Sequence, residues 1–388
     1  MKNILILGID GYIGFPLAIH LLKKGYNVSG VDNYSRRERV DEVDSDSLTP
    51  IAYVHERKST LESYSNFGSW THYDLHSDHF YVRKMLETIQ PDAIIHLAEM
   101  PSAPWSMQSA HFCNTTQYEN VLSTLNILWT MHEVCPNAHL IKLGTMGEYG
   151  VPDCDIPEGE IPEECLGRDM PEGMTCPMAF LPFPRSPNSF YHLSKVHDTH
   201  NIIFACRNWG LTSTDIMQGV VFGITDTEQQ LLTRLDYDEH FGTVINRFLA
   251  QSLINHPLTV YGKGEQTRGY LPLKDSIQCL NIAIDNPPPA GTYRTLNQFE
   301  RIYSINELAN MVAKSARKAG FTPSIQHIPN PRKEAESHYY NPAHQRLFDL
   351  GYTPTTDIQG ELDNLVEILY PYRERIVKEV IMPKTNWI

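Results

Sequence analysis

At 388 residues, with 41% hydrophobic and 20% charged side chains, the chain can bury a large core with room for a smaller companion domain. A formal charge of -14 argues against a general polyanion binder, so no nucleic-acid partner is expected. The cysteines Cys113, Cys135, Cys154, Cys165, Cys176, Cys206 and Cys279 show no paired zinc-site spacing, which favours reduced thiols and no metal.

Met1-Lys2-Asn3 runs straight into Ile4-Leu5-Ile6-Leu7, an apolar run with the length of a buried strand. No secretory pattern precedes it and no apolar run is long enough to span a membrane, so a cytoplasmic protein without membrane insertion is expected. Lys2 to Leu7 predicts the first strand, Gly11 to Lys24 a helix, and Tyr26 to Val31 a second strand. The polar stretch Ser35 to Thr49 reads as a long loop or short helices. Trp70 to Leu75, Ala93 to Leu97 and His139 to Leu143 read as further strands, with helices over Phe80 to Thr88 and Thr115 to His132 between them. Val151 to Pro187 is rich in Pro, Gly and acidic residues and reads as an insertion at the rim of a site. Ser189 to Asn208 resumes a helical pattern, and strands at Thr212 to Asp215 and Val220 to Phe222 are expected to complete much of the sheet. Ser304 to Ala319 and Ile358 to Tyr370 are helical further on. Short buried strands alternating with helices predict an α/β fold, a Rossmann-like doubly wound parallel sheet with a smaller C-terminal substrate-binding domain. The expected division is 1–217 for the cofactor domain and 218–388 mainly for the substrate, with later segments able to return to the first.

Gly8, Gly11 and Gly14 follow the first strand with GxxGxxG spacing around Tyr12 and Ile13. Glycines there allow a tight turn and close approach of a dinucleotide diphosphate, which the helix N-terminus then meets with its amides. Asp32, near the end of the second strand, is placed to accept both ribose hydroxyls, which selects NAD over NADP. Asn33 is assigned to adenosine-ribose recognition and Asp74 to the adenine edge. Arg36 and Arg37 are solvated loop residues or contacts to an additional phosphate.

Tyr191 and Lys195 are four apart, so one helix face carries both, and Thr145 ends a preceding strand. A lysine beside a phenol favours tyrosinate, and a threonine can share the substrate hydroxyl. The three therefore predict redox chemistry at a substrate hydroxyl, with Tyr191 and Lys195 also touching the cofactor ribose. Glu148 and His192, next to them in sequence, are assigned as proton handlers, and Met146 to the apolar side of a pocket.

The glycine loop, Thr145 and the Tyr191–Lys195 pair resemble the extended short-chain dehydrogenase/reductase family. The resemblance extends through Gly144-Thr145-Met146-Gly147-Glu148-Tyr149-Gly150, Gln218-Gly219-Val220-Val221-Phe222-Gly223, Leu235-Asp236-Tyr237-Asp238, Gln266-Thr267-Arg268-Gly269-Tyr270 and Pro331-Arg332-Lys333-Glu334-Ala335-Glu336, almost the whole chain. It is nearest to the members that build a sulfonated sugar nucleotide from UDP-glucose and sulfite. It implies transient oxidation at C4, elimination across C5 and C6, sulfite addition, reduction at C4, and a homodimer. It also implies Gln218, Arg268, Tyr270, Arg332 and Tyr340 as contacts to the sugar nucleotide. The resemblance breaks where those members carry an arginine and this chain has Pro101, which supplies neither charge nor donors. Arg185, near an extra stretch at Met170 to Phe180, is a candidate replacement. A UDP-hexose dehydratase or 4-epimerase without sulfite use is the alternative reading, and a catalytically silent cofactor-binding sensor is a third.

Overall fold

The computed structural model describes residues 1–160, 182–332 and 338–382. The stretch Met170 to Phe180, with Cys165 and Cys176, lies outside the described residues, as do 333–337.

The N-terminal apolar run forms β1 (Asn3–Leu7), followed by α1 (Gly14–Lys23) and β2 (Asn27–Asp32). The polar stretch after it yields α2 (Ser35–Glu42), then α3 (Val54–Glu62) and β3 (Phe67–His72). Next come α4 (His79–Ile89), β4 (Ala93–His96), α5 (Ala103–Ser106), α6 (Ala110–Val134) and β5 (His139–Thr145). The helix expected before the sixth strand is α7 (Phe190–Trp209), and β6 (Thr212–Gln218) and β7 (Val220–Phe222) follow it. The remaining elements are α8 (Val244–Leu253), β8 (Leu258–Tyr261), β9 (Thr267–Pro272), α9 (Leu273–Asp285), β10 (Tyr293–Gln298), β11 (Arg301–Ser304), α10 (Ile305–Lys318), β12 (Ile325–Ile328), α11 (Gln345–Asp349) and α12 (Ile358–Leu369).

Seven strands form a parallel sheet in the order β10-β6-β5-β4-β1-β2-β3. Its central strands read as apolar runs because helices cover both faces. On one face Ile4, Ile6, Ile95 and Ile141 pack with Leu17 and Leu21 of α1. On the other, Leu5, Leu7, Ile94 and Leu140 meet Ile127 and Met131 of α6 and Ile202 of α7. The crossover from β3 to β4 reverses the direction of strand addition, opening a crevice at the carboxyl ends of β1 and β4 where such sheets bind ligands.

One strand assignment changes. Val220–Phe222 does not join this sheet; it pairs with β9 in a separate three-stranded sheet ordered β11-β9-β7. The edge place beside β6 goes to β10 instead, in register from Tyr293↔Ser213 to Gln298↔Gln218. Gly219 explains the departure: a Cβ there would lie 2.7 Å from the Gly269 carbonyl, so the chain leaves the sheet at a tight passage. A second apolar core, with Phe248, Leu249, Leu308, Val312, Leu362 and Val366, joins α8, α10 and α12. Among the described residues no helix is long and apolar enough to cross a membrane.

Candidate active site

β1 ends at Leu7, and Gly8 turns the chain with φ +87°, a left-handed conformation that favours glycine. Gly14 opens α1 so close to that turn that a Cβ on it would sit 2.0 Å from the Gly8 carbonyl oxygen. Gly8, Gly11, Tyr12, Ile13 and Gly14 all line a cavity of about 370 Å³. Tyr12 is anchored by donating its hydroxyl to the Gly223 carbonyl at 2.7 Å. The loop thus leaves a cradle free of side chains at a helix N-terminus, which fits a dinucleotide diphosphate.

Asp32 lines the same cavity. Its carboxylate accepts the backbone N–H groups of Asp10 and Tyr34, each at 2.8 Å, and burial pushes its pKa up to about 6. Asn33 also lines the cavity and donates to Asp74, whose side chain is held there and does not line it. Its neighbours Tyr73, Leu75 and His76 do line the cavity. Arg37 is bound to Asp10 at 2.6 Å and Arg36 to Asp236. The carboxylate at position 32 and the occupied Arg37 fit a ribose with free hydroxyls.

At the inner end Thr145, Tyr191, Lys195 and Gln218 line the cavity together. The cap of α7 orients the pair: Ser189 Oγ accepts the His192 N–H at 3.2 Å, and the Tyr191 N–H donates to Ser106 Oγ at 3.1 Å. Lys195 Nζ lies 5.9 Å from the centre of the Tyr191 ring and donates to the Leu143 carbonyl at 2.7 Å. Burial raises the Tyr191 pKa and nearby Lys195 pulls it back. Burial lowers that of Lys195, but Glu99, 2.6 Å from Nζ, and Tyr191 together leave it raised. Thr145 Oγ1 accepts the Gly147 N–H at 3.2 Å.

Glu148 is set back from the cavity lining. The single turn Met146–Glu148 rotates its carboxylate behind β5, where it is fully buried and does not line the cavity. It lies 3.3 Å from Lys142 Nζ and accepts the Thr199 hydroxyl at 2.9 Å. Lys142 also lies 3.6 Å from Asp215, so Glu148 is part of a buried charge cluster beside Thr145. Its Oε1 also accepts the Thr145 N–H at 3.4 Å, closing the cap of that single turn.

A family model for NAD-dependent epimerases and dehydratases matches residues 4–297. The chain belongs to that family. Its cofactor is NAD. The chain is 42% identical over 390 residues to the chloroplastic UDP-sulfoquinovose synthase of Spinacia oleracea, spanning 100% of this chain and 79% of that protein. It is 41% identical over 390 residues to the UDP-sulfoquinovose synthase of Sulfolobus acidocaldarius, covering 99% and 97%. Among solved structures, the UDP-glucose 4-epimerase of Thermotoga maritima superposes with a TM-score of 0.70 at 19% identity, over 95% of this chain and 99% of that one, a likeness of fold.

In this NAD-dependent epimerase/dehydratase chain the other expected residues divide. His192 Nδ1 is 2.9 Å from Ser189 Oγ and 2.8 Å from Asn188 Oδ1. A Cβ on Gly147 would fall 2.3 Å from His192 Nε2, so the glycine makes room for the ring. Burial, aided by Arg268 and Arg332, lowers the His192 pKa to about 3, leaving the imidazole neutral. Those two arginines therefore face the His192 side, although neither lines the cofactor cavity. Arg268 Nη1 donates to the Thr267 carbonyl at 2.7 Å and is 2.8 Å from His338 Nε2; the Arg332 N–H donates to Asn330 Oδ1 at 3.0 Å. Met146 and Tyr340 join a small apolar cluster with Tyr149, Met217 and Phe299. Gln218 accepts the Ser276 hydroxyl at 3.0 Å. Tyr270 is 1% exposed and packs in the C-terminal core, outside the lining of the cavity. Arg185 lies 4.2 Å over the Tyr149 ring and does not line the cavity, whereas Pro101 does.

Sequence reasoning missed Glu99, which lines the cavity three residues beyond β4. The signal was present: it follows the carboxyl end of a central parallel strand, where sites of such sheets collect.

Proposed function

We propose that this protein converts UDP-glucose and sulfite to UDP-sulfoquinovose. The observation that carries the reading is similarity to two UDP-sulfoquinovose synthases along essentially the whole chain. Gly8, Gly11, Ile13, Gly14, Asp32 and Asn33 hold NAD, which supplies a hydride acceptor at C4 of the sugar and returns the hydride at the end. Tyr191 takes the proton of the C4 hydroxyl, Lys195 steadies the phenolate, and Thr145 hydrogen-bonds the same oxygen. Once C4 is a carbonyl, the C5 hydrogen is acidic. His192, the one of the two expected proton handlers not paired with Lys142, is the residue assigned to remove it. Loss of the C5 proton and the C6 hydroxyl releases one water and leaves a C5–C6 double bond. The sulfur lone pair of sulfite then forms the bond to C6, the double-bond pair moves toward the carbonyl, and C5 regains a proton. Arg268 and Arg332 serve the UDP diphosphate on the His192 side. A homodimer is part of this reading, supported by exposed Tyr118, Leu125 and Trp129 of α6 beside Phe190 and Phe204 of α7.

Pro101 in the cavity wall favours a second reading, a UDP-hexose 4-epimerase or dehydratase that never takes sulfite. One incubation separates them. With UDP-glucose and NAD, product analysis is expected to find a UDP-linked C6-sulfonate only when sulfite is present. UDP-galactose, or a deoxy sugar formed without sulfite, contradicts the proposal.

A further inference from the structure

Two arginines stand on the cavity wall where Pro101 supplies no charge. Arg36 and Arg39 are three residues apart on α2, so they share a helix face, and both line the cavity with Pro101. Arg39 reaches the residue next to Pro101: its Nη1 donates to Met100 Sδ at 3.4 Å, and its guanidinium lies 5.2 Å from the centre of the Trp105 ring. Its Nη2 pairs with Glu119 at 2.5 Å. Arg36 comes from the other side. Its guanidinium sits 3.5 Å over the Phe241 ring and its Nη2 is paired with Asp236. Next to Phe241, the His240 carbonyl accepts the Ser102 hydroxyl, so both arginines border the Pro101–Ser102 turn.

Both guanidiniums have donor capacity in reserve. A thioether is a weak acceptor, so Arg39 Nη1 is poorly satisfied. Arg36 Nη1 is buried with no hydrogen-bond partner among the described residues, a costly state. The cofactor diphosphate already has the glycine loop and the amides of α1, so it makes little demand on these groups. The wall also adjoins the chemistry, because Glu99, two residues before Pro101, holds Lys195 at 2.6 Å.

We propose that Arg39, with Arg36 one turn before it, forms the subsite that captures sulfite in place of an arginine at position 101. The proposal rests on the synthase reading above and deepens it. Its sign is set by Glu119, which competes with the anion for Arg39. A merely structural ion pair is weakened alike by loss of either partner, whereas a sulfite site responds oppositely to the two.

The experiment compares steady-state sulfite KM, NAD affinity and solvent-hydrogen exchange at C5 of UDP-glucose without sulfite, for wild type, R39M, R39K and E119Q. R39M is expected to raise sulfite KM by at least about tenfold more than it alters exchange or NAD affinity, the size of one lost charge-assisted hydrogen bond. R39K is expected to recover part of the loss, and E119Q to lower sulfite KM below that of wild type. An unchanged sulfite KM in R39M, a loss of NAD affinity as large as the loss of sulfite use, or a raised KM in E119Q overturns the proposal while leaving the synthase reading intact. A wild-type enzyme that exchanges the C5 hydrogen but forms no sulfonate overturns the synthase reading itself, and the subsite with it.

Discussion

Glu99 holds its carboxylate 2.6 Å from the ammonium of Lys195, with both side chains almost wholly buried. The pair fixes the charge that acts on Tyr191, so Glu99 is a positioning residue. Glu99→Gln leaves Lys195 with the Leu143 carbonyl and no counter-charge. Removing one partner of a buried pair costs about 3–5 kcal/mol, so the melting temperature should fall. Turnover should drop roughly 10- to 100-fold with a much smaller change in the KM for UDP-glucose, since the lysine acts on the base and not on the sugar. An unchanged kcat would show that Lys195 needs no anion beside it.

Tyr191→Phe should keep the fold and NAD binding while reducing C4 oxidation by at least about 100-fold, the usual weight of a positioned base. The pH dependence has a definite sign. Burial raises the Tyr191 pKa despite Lys195, and the reactive form is the phenolate, so the oxidation rate should climb as pH rises from neutral. Rapid-kinetic measurement of C4 oxidation checks both points. A rate that falls over that range, or a phenylalanine variant near wild type, would require another base.

Asp32 sits with a pKa of about 6 because burial opposes its charge. Its ionised form is the better acceptor for ribose hydroxyls, so NAD affinity should weaken as pH falls through 6. Asp32→Asn should bind NAD roughly 10- to 100-fold more weakly, the range for hydrogen bonds to a charged group, and should lose that pH dependence. Calorimetric titration across pH 5 to 8 (about this span suffices for a carboxyl of this kind) gives the comparison. A pH-independent affinity in wild type would remove Asp32 from ribose recognition.

Gly14→Ala inserts a methyl group 2.0 Å from the Gly8 carbonyl, a contact with backbone on both sides that no rotamer relieves. NAD binding should be lost and thermal stability lowered. Gly25→Ala is the control for a glycine with open space around it, although its φ of +89° still strains an alanine. Retained NAD affinity in the Gly14 variant would mean that the loop can open without harming the cradle.

Sequence alone reveals the cradle and the Tyr191–Lys195 face because both are local: a strand, glycines and a helix start in one case, helical spacing in the other. β1, β4 and β5 are legible for the same reason, being short apolar runs covered on both sides, whereas β10 goes unpredicted and β3, largely exposed, starts three residues earlier than expected. What depends on rotation or on partners distant in sequence is not. Glu148 is three residues from Thr145 and caps its N–H, yet Lys142 and Thr199, distant in sequence, hold its carboxylate out of the cavity lining. Val220–Phe222 has the pattern of a sheet strand, but the passage at Gly219 diverts it to β9. Tyr270 sits beside Arg268 in sequence, yet packs into the C-terminal core. Glu99 and Arg39 acquire meaning only when α7 and α5 bring Lys195 and Trp105 against them.

The central claim is that the sugar is oxidised at C4, sulfonated at C6 and reduced at C4 within one site. UDP-glucose carrying deuterium at C4 tests it most directly, incubated with the enzyme, NAD and sulfite and followed by mass spectrometry and NMR. The account predicts a UDP-linked sugar with sulfur on C6, deuterium retained at C4, hydrogen from solvent at C5, and no net accumulation of NADH. Deuterium retained in UDP-galactose with no sulfur incorporated, or a sulfur-free product formed at the same rate whether or not sulfite is present, would contradict it.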